Sequence, residues 1–119
     1  MHTINVNMQT TDGDTHKVTI KPSRLRIKNG EQGVVITWSA AGPTTFLQGD
    51  AGFKWMPNVG PTPPTVKYID ANTLRSEPYD NTFSTEVVWE YQIGVQKDGV
   101  KIVVDPEVDN DPPIGPKPY

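Results

Sequence analysis

Two histidines, fourteen carboxylates and no cysteine bound the acid–base, nucleophilic and metal chemistry open to this 119-residue chain. His2 and His16 could share a divalent cation if the first two strands brought them together. The simpler reading leaves His2 at a frayed terminus and His16 at a solvated strand end. A serine triad needs a carboxylate, a histidine and a nucleophile in convergence, and neither histidine has a glycine-flanked nucleophile elbow to serve. Asp50, Asp70 and Asp80 lie in or beside turns, where such side chains accept hydrogen bonds from backbone amides. They do not make a paired-carboxylate hydrolase, so the chain is expected to be non-catalytic and to use no cofactor.

The acidic run over residues 105–113 is the sharpest local pattern. Asp105, Glu107, Asp109 and Asp111 alternate along it, and oxygen ligands so spaced could reach one Ca²⁺, which takes about six to eight of them. The Asp109-Asn110-Asp111-Pro112 stretch resembles the calcium-binding linker that ends a cadherin repeat. The rest of that motif set is missing and the spacing is not that of an EF-hand, so a solvated acidic exit strand is the competing reading.

Phe46, Phe53, Trp55 and Met56 fall in a segment rich in glycine and proline. Aromatic side chains presented on such loops can stack on sugar rings or receive a partner's side chain. A small β-domain must also close its open ends with something large and apolar, and on that reading Phe53 and Trp55 are core plugs. Phe46, Phe53 and Trp55 are therefore the candidate ligand-binding residues, and the loop they share is either a site or a plug.

A net charge of −3 gives no global attraction to nucleic acid or to anionic membranes. Arg24, Arg26 and Lys28 share one face of an extended strand with Leu25 and Ile27 opposite, which is an ordinary amphipathic strand with a solvated side. No apolar run approaches the roughly 20 residues needed to span a bilayer. The start of the chain alternates apolar and polar residues instead of forming a basic region followed by an apolar run, so it does not read as a secretory signal. A soluble, cytoplasmic protein is the expectation if the chain is native and complete.

The elements that must position these residues are short strands. Residues 86–105 read as one hairpin: Asp98-Gly99 supplies a type I′ turn, and the register then sets Lys97 opposite Val100, Val95 opposite Ile102 and Ile93 opposite Val104. Trp89, Tyr91, Ile93 and Val95 line one face at a period of two. Ile4, Val6 and Met8 form an earlier alternating run, followed by Val18 and Ile20. A three-residue loop at 12–14 pairs Met8 with Val18 and Val6 with Ile20, a two-residue loop mismatches the faces, and a Greek key would allow the two runs to lie in different sheets. Leu25 and Ile27, then Val34, Ile36 and Trp38, continue the series. Residues 40–65 read mostly as loop with a short strand at 52–56. Residues 65–69 form another strand, and 73–77 could make one helical turn capped by Asn72 or Thr73. Residues 109–119, with four prolines, read as an extended, mobile polyproline-like tail, leaving one domain over 1–108.

This pattern predicts an all-β, antiparallel, two-sheet Greek-key sandwich, with a closed barrel as the alternative. The run from Val18-Thr19-Ile20 to Gly30, then Val34-Val35-Ile36-Thr37-Trp38, a long loop with Phe46 and a late strand with Tyr91 resembles the strand order of small bacterial cupredoxin-like or immunoglobulin-like domains. The copper chemistry of cupredoxins does not carry over, since that centre needs a cysteine thiolate and two histidines. The function expected is a binding module for a protein partner or for self-association through an exposed strand edge. A glycan bound by Trp55 and its neighbours is the alternative, with weak Ca²⁺ binding by the acidic run as a third reading; nucleic acid and membrane are not expected partners.

Overall fold

The computed structural model describes residues 2–11 and 15–113. Its strands are β1 (His2–Thr11), β2 (Thr15–Lys21), β3 (Arg24–Ile27), β4 (Ile36–Ala40), β5 (Thr45–Phe46), β6 (Phe53–Trp55), β7 (Val66–Asp70), β8 (Thr73–Ser76), β9 (Val87–Lys97), β10 (Val100–Val104) and β11 (Glu107–Asn110), with a 3-10 turn at Gly49–Ala51. Among the described residues there is no α-helix.

The strands form two sheets. The first has the order β2-β1-β4-β8-β7, and the second is built around β9, which pairs β10, β11, β5 and β6, with β3 outside β11. Val104 faces Ile93 and Glu107 faces Glu90, so β10 and β11 hold one register along β9 across Asp105 and Pro106. β5 and β6 pair the stretch of β9 that β10 also pairs, and so take its other edge. Between β5 and β6 the 3-10 turn steps over Gly94. A Cβ on Gly94 would lie 2.0 Å from the Ala51 carbonyl oxygen, so the approach needs glycine.

Local chemistry explains both hairpins. Asp98 and Gly99 have φ of 53° and 77°, the left-handed conformation that a type I′ turn demands, and the expected pairs Lys97/Val100, Val95/Ile102 and Ile93/Val104 all form. β1 pairs β2 with Met8 opposite Val18 and Val6 opposite Ile20; the connecting residues 12–14 lie outside the described residues. Inward positions of both sheets meet in one core, where Ile4, Val6, Met8, Ile36 and Trp38 face Trp89, Tyr91, Ile93, Val95 and Val108. The Trp38 Nε1–H donates to the Tyr91 hydroxyl at 3.0 Å, a buried bond between β4 and β9.

Four expectations need correction. The sheets are mixed, because β1 runs parallel to β4 and β3 parallel to β11; alternation reports which face is buried but not the direction of a distant partner. Residues 73–77 make strand β8 instead of a helical turn, since β4 and β7 pair it from either side and Leu74 and Ser76 alternate inward. The loop over 40–65 also contains β5, with Phe46 in the core. Finally, strand pairing continues past residue 108. Asp109 and Asn110 belong to β11 and are fully buried, so pairing wins over proline content as far as Asn110, and residues 114–119 of the expected tail lie outside the described residues. No helix among the described residues is long and apolar enough to cross a membrane.

Candidate functional site

Strand β6 at the rim of the second sheet and strand β7 at the rim of the first bound a cavity of about 560 Å³. Phe53 and Trp55 line it from β6, Val66 and Tyr68 from β7, and Leu74 from β8. The pairing of β6 with β9 sets Phe53 opposite Ile93 and Trp55 opposite Tyr91, which turns both rings toward the core. There Phe53 stacks on Tyr91 at 5.1 Å and meets the edges of Trp38 at 4.9 Å and Trp55 at 5.0 Å. Trp55 in turn lies 5.8 Å from Trp89.

These rings also fix the segment between β6 and β7. A half-buried indole N–H needs an acceptor, and a proline-rich segment has carbonyls that no strand ladder uses. Trp55 donates to the Pro64 carbonyl at 2.7 Å and Trp89 to the Pro61 carbonyl at 3.1 Å. Asn58 closes the same segment by donating to Pro61 at 2.9 Å. Asp50, Lys54, Asn58, Thr62 and Thr65 supply polar groups around the aromatic surface. Burial raises the Tyr91 phenol well above its ordinary value, with the Trp38 hydrogen bond pulling the other way, so it stays a neutral acceptor.

The edge of β7 is the second feature of the site. β7 has β8 on one side and no described strand on the other. The Glu77 N–H bonds to the Thr65 carbonyl at 2.8 Å, so in the antiparallel alternation Thr65 and Lys67 turn their backbone groups toward β8, while Val66 and Tyr68 turn theirs outward. The two residues with free backbone groups are the two whose side chains line the cavity.

The expected site residues separate accordingly. Phe53 and Trp55 come together here, and they serve the core and the cavity at once. Phe46 is 2% exposed and is a core residue, not a ligand platform. Met56 extends the β6 pairing through its N–H to Glu90 at 2.9 Å and does not line the cavity.

Glu107 and Asp109 of the acidic run come together on Arg24. Asp109 is buried against the Arg24 guanidinium, which it holds above its ordinary value, while burial and then a hydrogen bond to Asp109 raise the Glu107 carboxyl. A carboxylate already matched to arginine is a poor cation ligand, and no group of three acidic or histidine side chains able to hold a metal occurs among the described residues. His2 and His16 are also apart, since His16 lies opposite Thr10 at the far end of β1. His2 is not frayed: its Nε2 lies 2.9 Å from Glu31 Oε1, a bond that holds the Glu31 carboxyl below its ordinary 4.5. Asp70 and Asp80 accept from the Asn72 and Gly33 amides, each at 2.8 Å, as turn residues should.

Tyr68, Leu74 and the carbonyls of Pro61 and Pro64 were not foreseen as parts of the site. The alternation of Val66 and Tyr68 was legible; their position facing β6 depends on the packing of two sheets.

No protein-family model and no curated protein matches this chain. Among solved structures, an endo-fucoidan hydrolase from glycoside hydrolase family 107 aligns over 87% of this chain at 16% identity, with a TM-score of 0.36. This chain spans 18% of that protein's length. A likeness of that size carries neither fold nor function across.

Proposed function

We propose that this chain is a non-catalytic binding module whose cleft takes an extended segment of a partner protein as a further strand on β7. The observation that carries this reading is the free edge itself, where the unpaired backbone groups of Val66 and Tyr68 border an open cavity lined by Phe53 and Trp55. A strand added there gains main-chain hydrogen bonds from β7 and lays alternate side chains against the rings. The two sheets then act as a sandwich scaffold, immunoglobulin-like or cupredoxin-like in outline, with function placed at one rim. The charged residues that line the cleft are Asp50 and Lys54.

The test is selection of peptides from a random display library, followed by titration against variants. Selected peptides should change Trp55 emission. Tyr68→Pro, which removes one outward N–H, should weaken them by about tenfold or more, while Tyr68→Phe should bind normally. Equal affinity for Tyr68→Pro and the parent would sink the proposal. Light scattering across protein concentrations reports whether a second copy of the chain supplies the strand.

One observation favours a second reading, a carbohydrate ligand. Hydroxyl and amide groups of Asn58, Thr62 and Thr65 ring the aromatic side chains, which is how a sugar is held by its faces and its hydroxyls. Saturable quenching of tryptophan emission across a glycan panel would support it, and a silent panel would remove it.

A further inference from the structure

The outward faces of the two sheets carry different charge. On the second, Arg24 pairs with Asp109 and lies 3.8 Å from Glu107, so cation and carboxylates meet on the face. On the first, the outward positions are those that alternate with Ile4, Val6, Ile36, Trp38 and Leu74. They include exposed Lys17 and Lys21 on β2, Arg75 on β8 and Lys67 on β7. Among the described residues, the carboxylates of this face are Glu77 and Asp70, both beside β7. Glu77 is paired with Lys67 at 2.5 Å, and Asp70 accepts from the Asn72 amide at 2.8 Å. Lys17, Lys21 and Arg75 make no ion pair with a described residue. Between them the face is neutral and hydrogen-bonding: Asn5 lies between Lys21 and Ser39, Asn7 opposite Thr19, and Ser39 opposite Thr73.

We propose that this face binds a linear anionic polysaccharide. Lys17 and Lys21 are four residues apart on one strand, roughly 13 Å, and Arg75 lies three strands from β2, roughly 14 Å. Both separations exceed the Debye length of about 8 Å at physiological salt, so no small anion meets more than one of these cations, whereas a polymer with repeated charges meets all three. The centre of the face offers amide and hydroxyl groups that match sugar hydroxyls. It offers no aromatic side chain on which a nucleic-acid base could stack, because Tyr68 alternates to the cleft side of β7. The site is separate from the cleft, and the inference does not rest on what the cleft binds.

The experiment is a titration of the full chain with heparin, with a carboxylated polyuronate, with neutral dextran and with poly(dT). Heparin and the polyuronate should bind, dextran should not, and affinity should fall by about tenfold or more between about 50 and about 200 mM salt. Reversing Lys17, Lys21 and Arg75 together to glutamate should abolish binding, and the milder glutamine triple variant should weaken it with unchanged thermal stability. Reversing Arg26 and Lys101 on the other sheet, or Tyr68→Pro in the cleft, should leave it intact. No binding at low salt, an equal loss from the Arg26 and Lys101 reversal, or tighter binding of poly(dT) than of either polysaccharide would overturn the inference.

Discussion

Each lateral edge of the molecule brings one terminal strand of the first sheet toward one of the second, and the two edges end differently. At one, β2 and β10 approach until a groove of about 170 Å³ remains, lined by Val18, Ile20 and Val104, and Lys97 Nζ reaches from β9 to the Met8 carbonyl at 3.1 Å. At the other, β6 and β7 stand apart around about 560 Å³. Aliphatic side chains can interdigitate and draw strands together. Rigid rings packed edge to face cannot collapse in that way, and here they also carry indole donors that tie down a proline-rich segment. One edge is closed by packing, and the other leaves the outer side of β7 without a strand among the described residues, as the proposed binding role requires.

Substitutions at the two edges should therefore separate in kind. The largest effect is expected for Phe46→Ala, which empties a core position behind the open edge and should cost about 3–5 kcal/mol in urea unfolding; Ile20→Ala at the half-buried closed edge should cost clearly less, and equal losses would break the distinction. Tyr91→Phe comes next. It leaves the buried Trp38 Nε1–H without its acceptor, at about 1–3 kcal/mol in a thermal melt, with no specific change at the closed edge. Trp55→Phe keeps an aromatic ring, though a smaller one, and removes the bond to Pro64. Its cost should be only about 1 kcal/mol, yet hydrogen exchange through 57–65 should quicken while that of β2 and β10 stays constant.

The smallest effect concerns neither edge and serves as their control. The His2 hydrogen bond holds the Glu31 carboxyl below its ordinary 4.5, so the stabilisation is present above that value and is lost as the pH falls through the lowered one. Glu31→Gln should flatten the acid limb of a stability–pH curve and leave affinity at the cleft unchanged.

Much of the fold was legible in local patterns. Asp98-Gly99 specifies its turn by backbone conformation, and alternating apolar residues on either side admit only one register, so β9 and β10 follow from a short stretch of sequence. The pairing of β1 with β2 was legible only as one of three alternatives, and the structure takes the one that sets Met8 opposite Val18. What was not legible depends on partners far along the chain. Asp109 reads as a solvated acid until Arg24, 85 residues earlier, is laid beside it, and a parallel neighbour leaves no trace in alternation. Thr73 to Ser76 are too few to show a period, and two flanking strands decide their conformation. Phe53 and Trp55 were legible as either plug or platform; in the structure their rings pack against the core and also line the cavity. The rest of the site was hidden because Tyr68 and Trp55 belong to different sheets.

The most direct test of the central claim is amide hydrogen exchange of the protein bound to a peptide selected for the cleft. A strand added to β7 should bring new protection at the Val66 and Tyr68 amides, with the β2 and β10 amides unchanged. Tight peptide binding that leaves Val66 and Tyr68 exchanging as in the free protein would contradict the claim.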